Sequence, residues 1–429
     1  MFVYDFKMPD LAVIAYNTWL RHKNKYPVEP KFYSVNFDDL SRSNRCNPLE
    51  PSSMLDITDA VESARTILLG LNREWIKKQG DFFVESPINF VTAIIWYLRK
   101  YNNGEFCTLP HVIELMQADY DKLFTILRTQ KEIDVLINPF ISAYLRDAAE
   151  QLEGQIASAK ITMARIASPQ LYYVLSGNEF TLDINDPAAP KIICVGNNPQ
   201  KIQIYGAVLS LFTNRLLKVI NQKNKLKCSL VFDEFPTLTT DIIPTISTGR
   251  SNLISTCLGI QDVSQLRKDY GREQADVIMN IVGNIASGQV SGDTAKQLSE
   301  RIGRIMQDRE SLSINSSDTS ISRSKQLEAA VPASRIASLS SGEFVGMVAD
   351  NPDCKIGLKA FHCEIVNDHD ALKREIDGYR ELPKVRVIDN AIVQRNYLQV
   401  KDDVQHIIQS ETERLLSDPA LMHLIIKKG

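Results

Sequence analysis

Apolar positions along the chain change their period several times. Phe2-Val3-Tyr4-Asp5-Phe6-Lys7 reads as a strand and its exit, Leu11 to His22 repeats at helical spacing, and Lys31-Phe32-Tyr33-Ser34-Val35-Asn36 is strand-like again. These make a short β-α-β passage. A polar, Pro-containing loop from Arg42 to Ser53 ends it. From about Leu55 to Ala167 the period is helical almost throughout, with Ile57, Val61, Ala64, Leu68, Leu71 and Trp75 as one stripe. Gly80, Pro87, Asn102-Asn103-Gly104 and Pro139 are expected to break this run into helices of ordinary length, as in a small all-α unit inserted into an α/β domain.

Beyond Leu171 strands and helices alternate. Strands are predicted at Leu171 to Leu175, Phe180 to Ile184, Lys191 to Val195, Leu226 to Phe232, Leu253 to Ile260 and Ile285 to Ser287, and helices near Lys201 to Asn221, Val263 to Asn280 and Asp293 to Ile305. Nearly continuous apolar strands between helices imply a mostly parallel sheet covered on both faces. Glu310 to Ser324 is rich in Ser and Asp and predicts an exposed loop or disordered tongue. Two more strands are expected at Glu343 to Ala349 and Lys355 to Val366, then charged helix and loop closing on an amphipathic tail, Glu411 to Lys428.

A length of 429 residues suggests two or three units. The formal net charge of -3 gives no electrostatic footprint of a stand-alone nucleic-acid binder, which is usually basic over a whole face, so any nucleic-acid contact is expected to be local. Cys46, Cys107, Cys194, Cys228, Cys257, Cys354 and Cys363 are scattered without a C-x-x-C pair and read as reduced core residues, pointing to the cytoplasm and away from zinc. No stretch approaches the roughly 18 apolar residues of a membrane span, and the first residues lack signal-peptide character, so the chain as given is expected to be soluble.

The chemistry concentrates after the fourth of these strands. Lys227-Cys228-Ser229-Leu230-Val231-Phe232-Asp233-Glu234 is a buried-type strand ending in two adjacent carboxylates, the Walker B arrangement. In a nucleotide motor the first acid holds Mg²⁺ through water and the second polarises the water that attacks the γ-phosphate. Apolar strands ending in Asp-Glu also occur without such a role. Two later features sharpen the pattern: Thr248-Gly249-Arg250 can present a guanidinium beyond the sheet edge, and Leu253 to Ile260 is a second apolar strand ending in Gln261. In isolation Arg250 would be a surface salt-bridge partner and Gln261 a strand cap.

Taken together, Leu230-Val-Phe-Asp-Glu-Phe-Pro-Thr-Leu238, Thr248-Gly-Arg-Ser251, Gly259-Ile-Gln-Asp-Val-Ser-Gln-Leu266 and Tyr270-Gly271 resemble the TraG/TraD-type coupling proteins of bacterial conjugation and type IV secretion. Tyr4-Asp5-Phe6-Lys7 resembles the family's Asp-Pro-Lys strand, with Phe6 in place of Pro. Asn47-Pro48-Leu49 resembles the lead into its all-α domain, and Ser334-Arg335-Ile336 with Gly342-Glu343 the start of a late strand. The likeness runs over roughly residues 1 to 365.

The resemblance implies a RecA-like P-loop NTPase core of class α/β with an inserted all-α domain. Its first part would be residues 1–52, the insert 53–168, the remainder with Walker B 169–366, and a C-terminal extension 367–429. It implies ATP and Mg²⁺ as cofactors, Asp233 toward Mg²⁺, Glu234 as water activator, Arg250 as a finger into a neighbouring subunit, Gln261 as a coupler of nucleotide state to movement, and Asp5 and Lys7 near the nucleotide. Partners would be the relaxase and other relaxosome proteins, single-stranded DNA, the secretion channel and further copies in a hexamer. The place of work would be the cytoplasmic face of the bacterial inner membrane.

One departure is sharp: the chain has no G-x-x-x-x-G-K-[ST] and no Gly-Lys pair at all. The family's membrane helices are also missing, and truncation ahead of Met1 is expected to explain both. Little or no ATP binding by these residues alone is therefore expected. The other readings are a non-catalytic recruitment module and another DNA translocase, of the FtsK/HerA kind.

Overall fold

The computed structural model describes residues 1–315, 318–350 and 355–426 and divides into two compact units, Met1–Gly259 with Tyr379–Gly429, and Ile260–Gly378. In the first unit, β1 (Phe2–Asp5) leads through α1 (Asp10–His22) to β2 (Lys31–Val35). Every residue of β1 is buried, as a central strand of a parallel sheet requires. The all-α segment follows with α2 (Ile57–Leu71), α3 (Phe82–Lys100), α4 (Leu109–Leu115), α5 (Tyr120–Leu127), α6 (Asp134–Leu145), α7 (Ala149–Ala164) and α8 (Pro169–Leu175). The chain then returns through β3 (Lys191–Gly196), α9 (Ile202–Ile220), β4 (Cys228–Phe232), α10 (Ile243–Gly249) and β5 (Ile254–Leu258).

The five strands pair in the order β2-β3-β1-β4-β5, and every pairing is parallel. Tyr4 lies opposite Val195 on one side and Phe232 on the other, so the ends of β1, β3 and β4 fall level. Alternation along β1 sends Val3 toward α1, into a cluster with Ala12 and Cys194, while Phe2 meets Phe232 on the other face at 5.7 Å between rings. Helix α2 packs along α9. Gly70 makes that approach possible, because a Cβ there would stand 3.0 Å from Ala207. At the same seam the buried Arg215 guanidinium reaches Asp59 at 3.1 Å and Lys218 reaches the same oxygen at 2.6 Å. Burial opposes ionisation of Asp59, but the hydrogen bond from Lys218, backbone N–H groups and Arg215 hold its carboxyl below the usual range.

The segment after Tyr379 belongs to this first unit. Asn17 is bonded to Arg380 through both its side-chain N–H, at 2.9 Å, and its side-chain oxygen, at 2.9 Å. Arg386 meets Glu179 at 2.7 Å. A long helix (Asn390–Ser417, α16) then lies across α4, α5 and α8 and buries Val393, Val400, Val404, Ile407, Ile408 and Leu415. Lys401 reaches Glu114 at 3.1 Å and Asp403 reaches the His111 ring at 3.3 Å. Glu411 to Ser417, expected as the start of a tail, is the last part of this helix, and residues 427–429 lie outside the described ones.

The second unit contains α11 (Val263–Tyr270), α12 (Arg272–Ile281), β6 (Ile285–Ser287), α13 (Gly292–Ile302), β7 (Arg304–Asn315), β8 (Asp318–Ala329), α14 (Ala333–Ala337), β9 (Glu343–Met347), β10 (Ala360–Glu364) and α15 (His369–Asp377). Strands β10, β9 and β6 form an antiparallel sheet. Ala295, Leu298, Val331, Ile336, Leu339 and Val345 make its core.

Several elements differ from expectation. Leu171 to Leu175 is helix, because Ser168 accepts from the Leu171 N–H at 3.3 Å and Pro169 takes the first helical position. Phe180 to Ile184 joins no ladder. Pro87 and Pro139 lie inside α3 and α6 rather than between helices, each in its helix's second turn, where one backbone bond is forgone. The single helix expected at Val263 to Asn280 is two, parted at Gly271 with φ 84°. Of the loop expected at Glu310 to Ser324, Glu310 to Asn315 and Asp318 to Ser324 lie on β7 and β8, which pair antiparallel in a ladder of backbone bonds that needs no apolar signal, while Ser316 and Ser317 lie outside the described residues. Cys46, Cys107, Cys194 and Cys228 are buried, but Cys257 and Cys363 are exposed, and Cys354 lies outside the described residues.

Candidate functional site

The acid pair stands where a parallel strand delivers it, at the carboxyl end of β4. The Asp233 N–H donates to the Tyr4 carbonyl at 3.1 Å, extending the β1–β4 ladder by one step. Glu234 then turns the chain with φ 55° and ψ 54°, a left-handed conformation costly for a side-chain-bearing residue. Four backbone and side-chain bonds hold that turn. Gly259 N–H donates to Phe232 O at 2.7 Å, Phe235 N–H to Gly259 O at 2.8 Å, and both the N–H and the hydroxyl of Thr237 to Glu234 O, at 3.0 and 2.7 Å. Gly259 must be glycine for this closeness, since a Cβ would lie 3.0 Å from the Phe232 carbonyl. The Glu234 side chain is buried.

Behind the turn, the buried Tyr4 hydroxyl lies 2.5 Å from the Thr237 hydroxyl and accepts from the Asn197 amide at 2.7 Å. Burial pushes the Tyr4 phenol up to about 12 despite these two bonds, so it is neutral. Arg73, at the start of the turn between α2 and α3, donates to Pro236 O at 3.1 Å and to Thr237 O at 2.5 Å. The all-α segment is thereby tied to the turn that carries Glu234. Neither Tyr4 nor Arg73 was singled out in the sequence, because their roles come from strand register and from contact across 163 residues.

Asp5 follows Tyr4 at the carboxyl end of β1, on the strand next to Asp233. Burial pushes its carboxyl up to about 6, against the Ala12 N–H that donates to it at 2.9 Å and further backbone bonds. Lys7 is exposed two residues on. Asp5, Asp233 and Glu234 thus share one edge of the sheet. Arg250 does not join them: it is exposed at the end of α10, four residues before Ile254, which pairs with Cys228. It therefore sits at the amino end of β5, about 17 Å along the strands from the acids. Gln261 is exposed in the bend before α11 and belongs to the second unit.

Carboxylates at this edge are a donor set suited to a hard divalent cation and its bound water. A phosphate cradle is another matter. Gly196-Asn197-Asn198-Pro199-Gln200-Lys201 joins β3 to α9 at the same edge, yet Lys201 is engaged by Asp38 at 2.5 Å and Asn197 by Tyr4. Among the described residues no group of three or more His, Cys, Asp or Glu side chains could by itself hold a metal ion, and the turn from β3 to α9 does not fit the phosphate-holding half of a nucleotide site.

An all-parallel five-stranded sheet between helices, with an all-α insertion between β2 and β3, is a RecA-like α/β fold of the class found in P-loop NTPases. The chain belongs to the family described as type IV secretory system conjugative DNA transfer, whose model matches residues 15–331. Among solved structures it is similar to the bacterial conjugative coupling protein TrwBdeltaN70 in an unbound form, with TM-score 0.59, 14% identity, and 85% of this chain and 84% of that one covered. It is similar also to the plasmid coupling protein TrwB in complex with ADP and Mg²⁺, with TM-score 0.57, 14% identity, and 90% and 86% covered. TrwB with a non-hydrolysable ATP analogue gives TM-score 0.56 at 13% identity, with 90% and 86% covered. These likenesses define the shared fold. No curated protein matches the chain. Among the described residues no helix is long and apolar enough to cross a membrane.

Proposed function

We propose that this chain works as a coupling protein in conjugation, supplying the Walker B half of an ATP-driven DNA pump that links a relaxosome to a type IV secretion channel. The observation that carries this reading is the placement of Asp233 and the left-handed Glu234 level with Asp5 on one carboxyl edge. Asp233 would hold Mg²⁺ through water, and the Glu234 carboxylate would orient the attacking water and take its proton. When bound, Mg²⁺ neutralises charge on the transferring phosphoryl group. Arg250, remote from its own acid pair and exposed, suits a finger that acts on a neighbouring copy in a ring, and Gln261 suits the link from nucleotide state to motion. Asp5 and Lys7 would line the nucleotide's surroundings. Hydrolysis needs a phosphate-holding loop that the 429 residues do not contain.

The domain division that fits this reading keeps 1–52 and 169–366 as the motor, 53–168 as the face toward relaxase or DNA, and 367–429 as an extension. The absent Gly-Lys pair favours a second reading, a recruitment module that binds relaxosome proteins without hydrolysis. Replacing the native gene copy in donor cells by Glu234→Gln separates the two. The motor reading expects DNA transfer to fall by about a thousandfold while relaxase capture is retained, in line with the size of transition-state contributions in phosphoryl transfer. Unchanged transfer would leave recruitment as the function.

A further inference from the structure

The turn between α2 and α3, residues 73–81, has a rigid base and an exposed aromatic and basic rim. Its base is Arg73, bonded to the Pro236 and Thr237 carbonyls. Its far side is braced by Glu85, which accepts from the Gly80 N–H at 3.1 Å and from Arg65 at 2.7 Å. Gly80 takes φ 87°, a conformation that favours glycine, and Asp81 caps α3 by accepting from Phe83 N–H at 2.8 Å. The backbone is thus ordered through and past the turn. The exposed side chains here are Glu74, Lys77, Lys78, Gln79 and the capping Asp81, then Phe82 and Phe83, 54% and 62% exposed, with rings 5.6 Å apart at 81°.

Two adjacent exposed phenylalanines on a helix's first turn keep apolar area in water that a partner could cover. A helix that caps itself with Asp81 has no local need of them. Single-stranded nucleic acid is the partner whose chemistry matches the whole rim. Bases stack on aromatic faces and phosphates pair with neighbouring lysines, without sequence preference. An apolar protein groove would be served by the phenylalanines but would have to desolvate Lys77 and Lys78. The chain as a whole carries net charge -3, so a local cationic and aromatic rim is the kind of contact its charge permits.

We propose that Phe82, Phe83, Lys77 and Lys78 form a contact for single-stranded DNA, held in a fixed relation to the acid pair's turn by Arg73. The proposal rests on the DNA-transfer reading and adds the residues that touch the strand. A strand moving past this rim would pull on a turn whose base is bonded two and three residues beyond Glu234.

The test is fluorescence anisotropy of a labelled oligothymidylate with the full chain, over a salt series and without nucleotide. Phe82→Ala with Phe83→Ala should weaken binding about tenfold or more with little change in salt slope. Lys77→Gln with Lys78→Gln should lower the salt slope by about 1.4, about 0.7 for each lysine that pairs a phosphate. Thermal midpoints report that the fold survives, as expected for exposed positions. Wild-type binding that neither pair of substitutions alters would overturn the proposal and leave the DNA-transfer reading standing. Absence of wild-type binding would overturn both. Loss of sedimentation with phosphatidylglycerol vesicles in the phenylalanine variant, with DNA binding intact, would overturn the proposal in favour of a membrane contact.

Discussion

The hydroxyl groups of Tyr4 and Thr237 lie 2.5 Å apart in the core, joining the central strand to the turn behind Glu234. Thr237 passes the constraint on through its hydroxyl bond to the Glu234 carbonyl, and Asn197 completes the network from the next strand. A left-handed glutamate is thus held by groups on three strands and their exits.

Tyr4→Phe removes the shared hydroxyl and leaves the Asn197 amide and the Thr237 hydroxyl short of a partner. A loss of about 1–3 kcal/mol in unfolding free energy is expected, from the cost of stranding buried polar groups. Urea unfolding followed by circular dichroism measures it. A change below about 0.5 kcal/mol would show that the network does not constrain the turn.

Asp5 makes stability depend on pH in a direction opposite to that of most carboxylates. Its folded value of about 6 exceeds the ordinary 3.8, so between those values the folded chain binds more protons than the unfolded one. Stability therefore falls as pH rises through that window, by about 3 kcal/mol at pH 7. Asp5→Asn should remove this component, so the gap between variant and wild type should widen from about pH 4 to about pH 7. Parallel stability curves would contradict the assignment.

Much of this arrangement was legible in the sequence. Strands of branched and aromatic residues at Phe2, Lys31, Lys191, Cys228 and Ile254 were each found within two residues or so, because buried parallel strands leave continuous apolar runs. The acid pair was legible for the same reason, as a polar stop on such a run. What escaped was set by capping and distance. Ser168-Pro169 made helix of a five-residue apolar run that is ambiguous by period alone. Arg73 and Tyr4 looked like ordinary surface and core residues, since nothing local marks a partner more than 160 positions away. The role of residues 379–426 as a clasp over the all-α segment was hidden likewise.

That clasp gives a further prediction. Ile407 is fully buried on α16, and Ile407→Ala should cost about 2–5 kcal/mol, as a large-to-small change in a packed interface does. Hydrogen exchange would then show protection lost in α4, α5 and α8 before it is lost in β1 or β4. Uniform loss across both regions would mean that the clasp and the sheet unfold as one.

The Arg215–Asp59 pair at the α2–α9 seam should behave as a buried charge pair. Arg215→Met leaves Asp59 its backbone N–H donors and the half-exposed Lys218 but removes its buried cation, and is expected to cost about 3 kcal/mol or more, whereas Arg215→Met with Asp59→Leu should recover part of that loss. A double-mutant cycle with no coupling would contradict the pairing.

The most direct measurement is phosphate release from Mg²⁺-ATP in the presence of single-stranded DNA, by this chain combined with a segment that carries a phosphate loop. The account predicts DNA-stimulated hydrolysis that Glu234→Gln lowers by about a hundredfold or more, and none from the chain by itself. Hydrolysis indifferent to Glu234→Gln, or tight ATP binding by the 429 residues alone, would contradict it.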